Sequence, residues 1–322
     1  MKVVVIGATG HIGGYLIPRL VSAGHNVVAI SRGLQAPYRA HPAWDSVERI
    51  TADRAAEDSA GTFAGRIADL GADVVIDLVC FTRSSAVQLV NALRGRVELL
   101  VSCGTIWVHG SATEVPVTED AIRRPWGEYG IGKAEIEEFL LHESRRAGGV
   151  RSVVLHPGHI SGPGWKVINP AGNLDLDVWE KLATGRELVL PNFGLETVHH
   201  VHADDVAQAF QRAIERQSEA VGNSFHVVSE RALTLRGFAE AVAGWFGREA
   251  VLRFEPFDEF RAQTSPESAA ATLDHIARSP SASIDKAKRL LGYTPRYTSL
   301  EAVAEAVDWL QRDGQLTLAP RQ

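Results

Sequence analysis

The sequence predicts an α/β fold, a doubly wound parallel sheet with a smaller C-terminal α/β region. Three observations predict it. The chain opens on a β-branched run, Val3-Val4-Val5-Ile6, which stops at Gly7 and enters a glycine-spaced turn, Gly7-x-x-Gly10-x-x-Gly13. Apolar runs then recur in alternation with helix-length stretches, the pattern of parallel strands buried on both faces by crossover helices. The 322 residues are 45% hydrophobic and 22% charged, which gives ordinary globular composition and length enough for a large core.

Composition also excludes. The formal net charge is −6 and there is no long basic run, so no broad nucleic-acid footprint is expected. Two cysteines, Cys80 and Cys103, make no disulfide framework and suit a reducing compartment. No apolar segment reaches the ~18 residues of a membrane span. The N-terminus goes straight into a strand rather than a cleavable signal. A cytoplasmic protein without a membrane partner is expected.

Taken in order, His11 to Ala23 reads as a helix ended by Gly24, with Pro18 inside it costing a hydrogen bond or a kink. Asn26–Ile30, Val47–Ile50, Asp73–Val79 and Val97–Ser102 read as strands, with a helix over Ser84–Leu93. A polar connection, Thr118–Pro125, leads to Tyr129-Gly130-Ile131-Gly132-Lys133 and a helix over Ala134–Arg146. Arg151–Leu155 is a sixth strand. A helix over Leu174–Thr184, a strand over Glu187–Leu190 and an extended Thr197–His202 follow. Asp204-Asp205 start a helix to about Gln217, Asp being a good N-cap. Ser224–Val228 is a strand and Leu235–Phe246 an amphipathic helix. Glu255–Arg278 shows no clear period, and Asp285–Leu291 and Leu300–Leu310 read as closing helices. This is a Rossmann-type arrangement. Residues 1–165 with about 198–230 form the nucleotide-binding part, and about 166–197 with 231–322 the substrate part.

The opening turn carries chemistry. Glycines admit positive φ and close approach of a ligand, and a helix starting near His11 aims its N-terminus at whatever lies over the turn, commonly a dinucleotide pyrophosphate. The second strand ends in Ser31-Arg32-Gly33 with no acidic residue for the adenosine ribose. Arg32 suits a 2′-phosphate, so NADP(H) is expected over NAD(H). Tyr129 and Lys133 share a helix face, and a lysine cation beside a phenol favours its ionised form and fits it for acid/base work. Ser102 or Thr105 at the end of the fifth strand would hold the reacting oxygen.

These residues resemble the extended short-chain dehydrogenase/reductases, the epimerase/dehydratase group. The resemblance rests on Gly7-Ala8-Thr9-Gly10-His11-Ile12-Gly13, on Tyr129 to Lys133, on His200-Val201-His202-Ala203-Asp204-Asp205-Val206-Ala207, and on Asp285 to Pro295. It implies hydride transfer between a nicotinamide and a carbinol or ketone carbon. Tyr129 is then the acid/base, Lys133 the ribose-binding residue that tunes it, and Thr105, rather than Ser102, the hydroxyl on the substrate oxygen. The implied cofactor contacts are Gly7, Thr9, Gly10, His11, Ile12, Gly13, Ser31, Arg32, Asp53, Leu78, Val79, Tyr129, Lys133 and His156. A homodimer is also implied.

The departures matter as much. The family's Val-Tyr-Gly reads Val108-His109-Gly110, its Leu-Arg-Pro reads Leu155-His156-Pro157, and His159 stands near a substrate-contacting Asn. Val198 falls where nucleotide-sugar epimerases place an arginine on the diphosphate. Substrate contacts are therefore expected at His109, His159 and His200. His199, His200 and His202 sit together, but no matching ligand spacing accompanies them, so no metal is expected and His202 is read as structural. Epimerase, dehydratase and reductase stay open. The competing reading is a non-catalytic cofactor-sensing or RNA-binding protein, since the fold also occurs in chloroplast RNA-binding proteins.

Overall fold

The structure, a computed structural model, describes residues 1–37 and 39–321. β1 (Lys2–Ile6) leads into α1 (His11–Ser22), β2 (Asn26–Ser31), β3 (Glu48–Thr51), α2 (Arg54–Ser59), α3 (Phe63–Ala68), β4 (Val74–Asp77), α4 (Arg83–Leu93), β5 (Leu99–Cys103), α5 (Gly127–Ser144) and β6 (Ser152–Pro157). Next come β7 (His159–Ser161), α6 (Asp177–Thr184), β8 (Leu188–Pro191), β9 (Thr197–Val198), β10 (His200–His202), α7 (Ala203–Glu215), α8 (Gln217–Ala220) and β11 (Ser224–Val227). The chain closes with β12 (Leu233–Thr234), α9 (Leu235–Gly244), β13 (Leu252–Glu255), α10 (Phe257–Arg261), α11 (Pro266–Ile276), α12 (Asp285–Leu291) and α13 (Ser299–Arg312).

The main sheet has seven parallel strands in the order β11-β6-β5-β4-β1-β2-β3. Alternation along β1 explains its two buried faces. Val3 and Val5 enter one core layer with Leu16 and Leu20 of α1 and Phe210 of α7. Val4 and Ile6 enter the opposite layer with Phe63 of α3, Leu89 of α4 and Ile136 of α5. A third apolar cluster joins Trp179, Leu190, Phe238 and Val307, while Ile284, Leu291 and Tyr293 pack back on the first layer. The strand order reverses between β1 and β4, the place where open α/β sheets bind ligands beyond their carboxyl ends.

Pro18 lies inside α1, as the sequence reading had it. Three local expectations change. α5 begins at Gly127, not Ala134, so Gly130 and Gly132 lie inside it. A Cβ at Gly132 would stand 2.9 Å from the Phe81 carbonyl oxygen, so close packing accounts for a glycine that helix propensity disfavours. α2 and α3 arise where no element was expected. The irregular 255–278 resolves into α10 and α11, with β13 ending at Glu255 and pairing with β8.

Candidate active site

The carboxyl ends of β1, β4 and β5 carry the site. Gly7 takes φ +87°, and a Cβ there would lie 2.7 Å from Val79 Cγ1. A Cβ at Gly13 would lie 2.0 Å from the Ala8 carbonyl oxygen, so only glycine lets α1 seat against the turn. Gly10 N donates to Gly7 O at 3.1 Å, which fixes the turn between them. Leu78 is buried and Val79 half-buried against it. These glycines make a cradle that side chains would fill, with a helix N-terminus behind it, and that suits a dinucleotide.

At the carboxyl end of β2 Ser31 is half-buried and Arg32 exposed. Asp53 caps α2, its carboxylate accepting from Ala56 N. The next residue, Arg54, was not singled out by spacing. It donates to Asp77 Oδ1 at 2.5 Å, from the end of β3 to the end of β4 with β1 and β2 between them.

The structure brings Thr105, Tyr129 and Lys133 together. Thr105 is buried after β5, and its hydroxyl accepts from Trp107 N. Tyr129 lies on the first turn of α5, half-exposed, with the Thr105 hydroxyl beside its own. Lys133, one turn on, is buried, with Nζ 5.8 Å from the Tyr129 ring centre. Burial opposes the expected lowering of the phenol pKa. Burial pushes Tyr129 well up and Cys103 adds to that, while the Thr105 hydroxyl pulls it only part of the way down. The Lys133 ammonium instead donates to the Cys103 carbonyl at 2.6 Å.

Trp107 extends the site toward the C-terminal region. It stands edge-on to Tyr129 at 5.9 Å and to His275 at 5.5 Å. Arg278 is buried between Trp107 and Trp126, 3.8 and 3.5 Å from their ring centres, and donates to Trp126 O. His275 and Arg278 come from the segment whose sequence shows no period, so no sequence signal pointed to them.

The histidines separate into groups. His159 accepts from His199 N through Nδ1 and lies 4.8 Å from His275, edge to face, in the Trp107 group. His200 is fully buried against Ser161 Oγ at 2.8 Å. His199 and His202 turn elsewhere, to Ser229 O and to Glu305, so the three histidines adjacent in sequence do not converge. His109 and His156 instead meet His226, all three buried. The expectation of no ligand-type cluster rested on local spacing, whereas strand register assembles this one.

The sequence profile of the NAD dependent epimerase/dehydratase family matches residues 3–227. The chain is similar to 2'-dehydrokanamycin reductase of Streptomyces kanamyceticus, 28% identical over 77% of this chain and 67% of that one. It is 25% identical to the chloroplast stem-loop binding protein of 41 kDa b of Arabidopsis thaliana, over 95% of this chain and 78% of that one. It is also 25% identical to a UDP-glucose 4-epimerase of Mycolicibacterium smegmatis, over 98% and 100%. In fold it resembles the UDP-glucose 4-epimerase of Thermotoga maritima solved with UDP-glucose, with TM-score 0.71 at 19% identity over 97% and 99% of the two chains. No described helix is long and apolar enough to cross a membrane. The matched stretch runs from Val3 in β1 to Val227 at the end of β11 and so takes in every strand of the main sheet: the chain belongs to the NAD dependent epimerase/dehydratase family.

Proposed function

We propose that this protein is an NAD(P)-dependent oxidoreductase that interconverts a carbinol and a ketone carbon of a small-molecule substrate, with Tyr129 as acid/base. The observation that carries this reading is the Thr105–Tyr129 hydroxyl pair beside buried Lys133, two strands from the glycine turn. Gly7, Gly10 and Gly13 would hold the dinucleotide, with Ser31 and Arg32 at its adenosine end and Leu78 and Val79 below it. When bound, it supplies the nicotinamide that gives or takes the hydride. Thr105 donates to the substrate oxygen and fixes it. Tyr129 gives that oxygen a proton on reduction and takes one back on oxidation.

Val198 is fully buried in β9 and offers no cation for a nucleotide diphosphate. That absence and the likeness to a reductase support reduction of a ring ketone that carries no diphosphate, and Arg32 favours NADPH as the reductant.

The test mixes the protein with NADPH and a panel of oxidised aminoglycosides and keto-sugars. A stoichiometric fall in nicotinamide absorbance is expected. Tyr129→Phe should lose ~10²–10⁴-fold in kcat while keeping its dinucleotide affinity. Undiminished turnover in that variant overturns the role of Tyr129, and turnover without net cofactor loss replaces reductase by epimerase. The likeness to a stem-loop binding protein favours a second reading, which salt-sensitive RNA binding together with a silent Tyr129→Phe would establish.

A further inference from the structure

We propose that His109, His156 and His226 form a binding site for one divalent transition ion of the zinc class, behind the candidate active site. His156 and His226 are register partners on the adjacent parallel strands β6 and β11, so their rings leave the same face. His109, at the end of the Ile106–His109 turn, completes the group. One ring nitrogen from each residue lies within 4.8 Å of the other two.

The polar contacts fit a ligand set. His226 Nδ1 faces the Ser283 carbonyl at 3.1 Å, so Nδ1 carries the proton and Nε2 keeps its lone pair. A carbonyl behind a ligating histidine is the usual orienting partner in metal sites. That lone pair accepts from His109 Nε2 at 2.7 Å. Among the described residues His109 Nδ1 and both nitrogens of His156 have no hydrogen-bond partner, although the residues are buried. Burial of three such nitrogens is costly without a partner. Ion binding would move the His109 proton from Nε2 to Nδ1. It would also widen the 2.7 Å contact to the roughly 3.3 Å between two nitrogens on one tetrahedral ion.

The donors select the ion. Three imidazoles with no free thiolate suit zinc, cobalt, nickel or copper and not magnesium or calcium. Glu137 lies 3.4 Å from His156 Nε2 but is ion-paired with Arg123, so it balances charge nearby without being released as a ligand. A cavity of about 390 Å³, lined by His109, Ser111, Glu114, Asp120 and Arg124, opens onto His109 and provides an entry path and an open coordination position. The site would pin the loop after β5 to β6 and β11. The His156 ring lies against Gly104, where a Cβ would be 2.6 Å from its Cδ2, and the next residue is Thr105.

The test titrates EDTA-treated, untagged full-length protein with Co(II) and with Zn(II). One equivalent of Co(II) should give the intense visible absorption of a four-coordinate nitrogen site, Zn(II) should displace it and raise Tm, and Mg(II) should do neither. His109→Ala should weaken Co(II) binding by about 100-fold or more, and His200→Asn, outside the trio, should leave it unchanged. If His109→Ala fails to fold, the spectrum of the wild-type protein decides alone. An absent spectrum, a six-coordinate spectrum, or equal binding by folded His109→Ala overturns the proposal.

Discussion

The buried Lys133 ammonium donates to the Cys103 carbonyl oxygen at 2.6 Å, which ties α5 to the end of β5. Among the described residues no carboxylate pairs with it. The carbonyl and the faces of Phe81 and Tyr129, at 4.8 and 5.8 Å, make up its polar and cation–π surroundings. The bond holds the two segments that supply Tyr129 and Thr105 in one geometry. Lysine here positions as well as charges.

Lys133→Met separates those roles. It keeps the length of the stem and removes the cation and its hydrogen bond. We expect kcat/KM to fall by about 100-fold or more and the pH optimum of the oxidative direction to move upward, since Tyr129 then loses the cation nearest its ring. Steady-state rates across pH check this. An unchanged profile would show that Lys133 only packs.

The glycine turn allows a paired comparison within one helix. Gly13→Ala drives a Cβ to 2.0 Å from the Ala8 carbonyl, a backbone atom that cannot rotate away. It should cost about 3 kcal/mol or more and abolish dinucleotide binding. Gly14→Ala meets nothing within 4 Å and should be neutral or stabilise by up to ~1 kcal/mol. Urea unfolding and NADPH fluorescence titration measure both.

The same turn shows what the sequence reveals. A strand, a glycine turn and a helix are local, so residues 3 to 22 could be read from spacing, and so could Tyr129 four residues before Lys133. What was missed depends on distant partners. Gly130 and Gly132 read as helix breakers until the Trp107 and Phe81 carbonyls are seen against them. His109, His156 and His226 are far apart in sequence; the register of β6 and β11 brings His156 to His226, and the turn after β5 brings His109 to both. Arg278 leaves no periodic trace, and its place is set by two indoles brought in from elsewhere.

Under the proposed function, Arg32, exposed beyond β2 and flanked in sequence by Ser31 and Gly33, is the residue that would set cofactor choice. Arg32→Ala should lower kcat/KM for NADPH by about 10-fold or more while leaving NADH within about 3-fold, because only the former carries the 2′-phosphate. Matched kinetics with the two cofactors check this. Equal losses would remove Arg32 from discrimination.

Acid should unfold this protein through its histidines. Burial lowers His11, His199 and His202 from 6.5 to about 4 and His200 to about 3. Geometry agrees with that direction. His199 Nδ1 accepts from Ala282 N and His202 Nδ1 accepts from Asp204 N at the start of α7, so protonation would set a donor against a donor. In the unfolded chain these rings titrate near 6.5, so between pH 6.5 and about 4 the unfolded state binds more protons. Stability is therefore complete above pH 6.5 and is lost as pH falls through that window, by at most ~1.4 kcal/mol per pH unit for each histidine. Asp205 runs the other way, raised by burial to about 6, and burial also raises Glu119 and Glu305, so these carboxyls regain stability over part of the same range against the rings, which lose it. Urea midpoints at pH 7.5, 6 and 5 should fall in that order. His202→Asn, whose side-chain oxygen can accept from Asp204 N without titrating, should flatten the slope by one histidine's share; a midpoint independent of pH over this range would show that the rings protonate without unfolding the chain.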